Sequence, residues 1–175
     1  MPEAPEIPEA NDPFEKRAAV TIAILAVVLA VVGNKGDNAK TDAIIQTNEA
    51  ANQYAFFQAK SIKGSIATAE QELLTLLAPS QNPAPDISKR AAELRAKAEE
   101  YKKEQEPILI AAEKAKKDAE HGSKINDRCD QGSLALQIAI VIASVSILAR
   151  SRAFWIGSIV LGLIGIGIGV MAFLI

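Results

Sequence analysis

Three stretches of this 175-residue chain carry no charged side chain: residues 18–33 (AAVTIAILAVVLAVVG), 132–149 (GSLALQIAIVIASVSILA) and 153–175 (AFWIGSIVLGLIGIGIGVMAFLI). A helix that is apolar on every side has to be buried, either in a large core or in lipid. The segments around these three are too short and too charged to enclose them. The middle of the chain, Asn34 to Asp130, holds 15 of the 19 Lys and Arg, so charge and apolar surface are segregated rather than interleaved. A bilayer crossing takes roughly 20 apolar residues, with a range of about 17–25. The third stretch has that length; the first two are slightly short, and at the first Lys16 and Arg17 can snorkel at one end and Lys35 at the other. The expected architecture is an all-α membrane protein with the lipid bilayer as its first partner.

The first stretch reads as a retained span rather than a secretory signal, because MPEAPEIPEANDPFEKR ahead of it is long and acidic. Residues 1–17, rich in Pro and Glu, read as a disordered tail. Lys16 and Arg17 precede the first span, and RSR (Arg150–Arg152) joins the second to the third. Two crossings separate these sites, so both fall on one face, which the positive-inside rule makes cytoplasmic. The segment 34–131 then lies outside, periplasmic or extracellular, and the protein is expected in the inner (plasma) membrane with a cytoplasmic N-terminus.

Glycines 162, 165, 167 and 169 invite a nucleotide-loop reading, which fails. G-x-G-x-x-G from Gly165 would need a glycine where Val170 stands, and no Lys-Ser/Thr follows the last glycine. On a helix, Ser158, Gly162, Gly165, Gly169 and Ala172 form one stripe at spacings of 4 and 3. Ala19, Ala23, Ala26, Ala30 and Gly33 form a second, and Gly132, Ala135, Ala139, Ala143 and Ser146 a looser third. In lipid, small residues let helices approach closely. These stripes are expected to pack the spans against one another and against a second subunit.

The middle segment reads as an antiparallel coiled-coil helical hairpin, with its turn at 78–86 (APSQNPAPD). Its far arm carries a seam through Ile87, Ala91, Leu94, Ala98, Tyr101, Gln105, Ile108, Ala112, Ala115 and Ala119, and Cys129 continues that phase. On the near arm Ile44, Ala51, Ala55, Ile62, Ile66, Ala69, Leu73 and Leu76 are expected to face it. Joints are expected at 33–38 and 121–123, and a kink at Pro107. Relative to that near seam Phe56 and Phe57 project away. With Tyr54 and Lys60 they make a candidate contact surface for another subunit or a partner membrane protein.

Chemistry is thinly represented. A single cysteine and a single histidine exclude an internal disulfide and a Cys/His zinc cluster, and no cofactor is expected. A net charge of −2 gives no electrostatic case for nucleic acid. Glu49, Lys60 and Lys63 resemble an acid/base set, but no nucleophile accompanies them and His121 belongs to the other arm. No charged residue inside the spans marks an ion path. The expectation is a non-enzymatic membrane scaffold or accessory subunit that forms homo-oligomers. The alternative is an oligomeric channel or mechanical gate, lined by Thr21, Gln137, Ser144, Ser146 and Ser158.

NEAANQYAFFQAKSIK just after the first span, Asp130 before the second, and RSR followed by Trp155 before the third resemble an uncharacterised bacterial family of small three-span membrane proteins, a domain of unknown function. The resemblance covers the chain from about residue 18 onward. An aromatic residue usually precedes the acid in that family, where this chain has Cys129. The resemblance implies no activity, cofactor or substrate.

Overall fold

Asp12 opens the first helix by accepting a hydrogen bond from the Phe14 amide at 2.9 Å. With Pro13 following, this is a helix start: a side-chain cap satisfies one free amide, and proline occupies the first turn where its missing N–H costs nothing. Helix α1 accordingly runs Pro13–Leu77, α2 Pro85–Leu148 and α3 Arg152–Leu174. This computed structural model describes residues 12–77 and 85–174. Pro13–Arg17, assigned above to a disordered tail, are the first residues of α1, which that cap opens. Residues 1–11 and most of the expected turn, 78–84, lie outside the described residues. Pro85 and Asp86, placed above in the turn, are the first residues of α2.

All three helices contain a window long and apolar enough to cross a membrane, and little of each window is covered by the chain itself: 17%, 28% and 28%. The chain divides into two compact units, Met1–Asp42 with His121–Ile175, and Ala43–Glu120.

The joints expected at 33–38 and 121–123 are helical. The reason is the spacing of the covered residues. On α1 they follow steps of 4 and 3 through Leu25, Leu29, Val32, Gly36, Ala39 and Ala43, and on α2 through Ala115, Ala119, Gly122, Asn126 and Cys129. A helix that keeps one buried row in phase gains nothing by breaking. α2 also continues through Pro107. Pro107 and Lys103, whose carbonyl loses its amide partner, are both exposed, so the missing bond falls on a side open to solvent.

The α2–α3 connection closes with two hydrogen bonds. The Ser151 amide donates to Ser146 O at 3.1 Å and the Arg150 amide to Ile147 O at 3.2 Å. Arg150 sits between them in a left-handed conformation, φ 48°, the arrangement that ends a helix by satisfying its last carbonyls. Its guanidinium lies 3.8 Å from Glu15, so the start of α1 and the RSR turn occupy the same end of this unit.

Candidate functional site

In the unit that contains α3, the sequence builds a backbone-to-backbone contact. Ser158, Gly162, Gly165, Gly169 and Ala172 are the buried residues of α3. A Cβ on Gly165 would stand 3.0 Å from the Gly132 carbonyl oxygen and 3.1 Å from the Leu136 nitrogen. One on Gly132 would stand 3.0 Å from both Gly165 O and Gly169 N. Main chain therefore touches main chain where α2 and α3 meet, and a side chain at either glycine has nowhere to go. α1 fills the remaining notches: a Cβ on Gly162 would come 2.7 Å from Leu25, and one on Gly169 2.9 Å from Val32. Leu136, Ala139, Ala143 and Ser146 complete the core from α2, and Ala135 is half-buried.

α1 does not use its small-residue stripe here. Ala19, Ala23, Ala26 and Ala30 are exposed, and Ala18, Leu25 and Val32 face inward. The expectation that the α1 stripe packs against the chain's own helices is corrected by volume. The glycines of α3 leave notches that leucine and valine fill, and small residues facing glycines would leave voids. Gly36, read above as part of a joint, makes room for Cys129, whose Cβ would lie 2.8 Å from an added Cβ. Cys129 is fully buried, and burial raises its thiol pKa above the ordinary value.

Several polar residues of this unit are engaged locally, whereas the buried Ser133 hydroxyl has no hydrogen-bond partner among the described residues. Ser146 donates to Ala143 O at 2.6 Å and Ser158 to Trp155 O at 2.7 Å. The Trp155 indole N–H donates to the Thr21 hydroxyl at 3.1 Å, and Phe14 meets the Trp155 ring edge-on at 6.1 Å. Ser144 donates to Ile140 O at 2.9 Å and, like Gln137, lies on the exposed side of α2. At the end of α3 Lys35 stands over Phe173, 5.7 Å from the ring centroid.

In the unit Ala43–Glu120, Lys60 sets the rotation of α1. Its ammonium pairs with Glu104 and lies 5.2 Å from the centre of the Tyr101 ring. The hydrogen bond to Glu104 raises the Lys60 pKa, partial desolvation acting against it. One turn on, Gly64 lets Tyr101 approach, with 3.7 Å between an added Cβ and the tyrosine Cβ. The two helices run in opposite directions here, since 60 meets 104 and 64 meets 101.

That contact corrects the near seam expected from sequence. The covered row of α1 runs through Ala43, Gln46, Ala50, Gln53, Phe57, Lys60, Gly64, Ala67, Gln71 and Leu74, whereas Ile44, Ala51, Ala55, Ile62, Ile66, Ala69, Leu73 and Leu76 are exposed. The far seam on α2 is covered at every position named above, from Ile87 to Ala119. The phenylalanine pair divides accordingly: Phe56 is exposed, whereas Phe57 and Tyr54 are half-buried. Glu49, bonded to Gln53 at 2.7 Å, is eleven residues and about 16 Å along the helix from Lys60. Glu49, Lys60 and Lys63 therefore do not converge.

Sequence reading misses the Lys60–Glu104 and Thr21–Trp155 pairs, because both depend on the alignment of two helices. Once one pair in the middle unit is known the rest of its register follows, and that one pair is the missing signal.

No curated protein and no solved structure is significantly similar to the chain. A family model described as a domain of unknown function, DUF4337, matches residues 14–175, and the chain belongs to that family.

Proposed function

We propose that this protein is a non-enzymatic, multi-pass membrane scaffold or accessory subunit that assembles with copies of itself. The three apolar windows cross the bilayer, and residues 34–131 project from it as a coiled-coil hairpin. The contact between Arg150 and Glu15 brings the basic RSR turn and Lys16–Arg17 to one end. The positive-inside rule makes that end cytoplasmic and the hairpin external. The observation that carries the assembly reading is the row Ala19, Ala23, Ala26 and Ala30, left exposed after α3 has packed. A close-packing face of small residues on a lipid-exposed helix favours contact with another helix.

The channel alternative has weaker support. Of the five polar residues that could line a pore, Thr21, Ser146 and Ser158 are held in contacts of one helix or between two, and Ser144 bonds its own helix. Native mass spectrometry of the complex after gentle detergent extraction tests the proposal. A discrete homo-oligomer is expected, alone or together with another membrane protein. A bare monomer under conditions that preserve other membrane assemblies overturns it.

A further inference from the structure

Along α1 the middle unit covers Gln46, Gln53, Lys60 and Gln71 and leaves its isoleucines and most of its leucines exposed. Along α1 a second row with steps of 4 and 3 runs two residues out of phase with the covered one: Ile45, Asn48, Asn52, Ala55, Ala59, Ile62, Ile66, Ala69, Leu73, Leu76. Every member is exposed. Its five large aliphatics are between 52% and 82% exposed. Together they leave on the order of 500 Å² of apolar surface open, most of the ~800 Å² per partner that a stable interface buries. Solvation does not explain this face. From Ala43 to Leu77 only Glu49, Lys60, Lys63, Glu70 and Glu72 are charged, and Lys60 is turned inward.

We infer that this outer row is the interface with a second copy of the same chain, the two α1 helices lying parallel and in register. This deepens the assembly reading above and rests on it. A heptad row about 47 Å long can be covered along its length only by another helix of matching repeat. A second copy anchored in the same bilayer presents the identical row at the same height and in the same direction. The polar members of the row fit self-pairing in particular. Asn48 and Asn52 each carry both a donor and an acceptor on one amide, so each bonds its own copy across a symmetric seam. A buried asparagine is also a device that fixes register in parallel helices.

The test is cysteine cross-linking of the full-length chain in its membrane, in a Cys129→Ser background. Ile62→Cys and Ile66→Cys, each alone, are expected to form disulfide-linked homodimers in high yield. Lys114→Cys, on the charged outer side of α2, is expected to stay monomeric. Absence of dimer at both row positions overturns the inference, as does dimer at Lys114 equal to that at the row, or cross-linking of the row to a different protein. Native mass separates the two levels: an intact homo-oligomer without row cross-links removes this interface and leaves the assembly reading standing.

Discussion

The two helices of the middle unit share one burial rhythm and differ in what they show outside. Between Pro85 and Glu120 half the residues of α2 are charged, and its exposed side is a solvated surface laced with pairs such as Arg95–Glu99 at 3.5 Å. α1 from Ala43 to Leu77 exposes isoleucine and leucine instead, and covers glutamine, lysine and glycine. The comparison teaches that the largest side chains need not choose the buried face. α2 presents Tyr101 and Glu104 to its neighbour, and only a glycine and a lysine answer both.

The largest expected effect comes from reversing that choice. Ala67→Asp puts an unpaired carboxylate where the alanine is 6% exposed and should cost about 3 kcal/mol or more. Ile66→Asp, one residue away on the open face, should cost the fold of a chain about 0.5 kcal/mol or less while abolishing assembly. Thermal denaturation of both variants in detergent, with the oligomer dissociated, compares them directly. Equal losses would erase the distinction between the two faces.

Next in size is the same contrast on α3. Gly165→Leu pushes a side chain into the Gly132 main chain, and overpacking of this kind should cost at least 1–3 kcal/mol, roughly. Gly167→Leu meets no atom within 4 Å of its Cβ and should leave the melting temperature nearly unchanged. A Gly165→Leu protein as stable as the native one would rule out the backbone contact.

The smallest effect is a pH dependence. Because burial raises the Cys129 thiol pKa in the folded state, its contribution to stability is complete below the unfolded thiol pKa. It declines as pH rises through that value towards the higher folded one. Stability should therefore fall faster above about pH 8.5 in the native protein than in Cys129→Ala. The thiol should also resist maleimide until the protein is denatured. Parallel pH profiles and rapid labelling would place Cys129 at the surface.

Much of this is legible in the residues. The stripe on α3 and the seam on α2 are readable because each stands out from the rest of its stretch: a row of small residues among larger ones on α3, and an apolar row among charged residues between Pro85 and Glu120 on α2. α1 defeats a reading from sequence twice for one reason: it carries more than one plausible row in each unit. In the apolar part, Ala19–Ala30 competes with Leu25 and Val32. In the middle unit, Ile62 and Ile66 compete with Lys60 and Gly64. Composition alone cannot rank two rows on one helix, because the partner's surface decides. Gly33, Gly36 and Gly122 look like breaks, yet a continuous covered row on both sides outweighs the roughly 1 kcal/mol that a helical glycine costs.

An engineered disulfide tests the rotation of α1 in the middle unit most directly. Gly64 and Tyr101 stand 3.7 Å apart at their β positions, close to the separation of about 3.8 Å that a disulfide needs. Gly64→Cys with Tyr101→Cys, in a Cys129→Ser background, should oxidise to an intramolecular disulfide, whereas Ile62→Cys with Tyr101→Cys should not. The opposite pattern, with Ile62 linking to Tyr101 and Gly64 remaining free, would turn the aliphatic row inward and contradict the account.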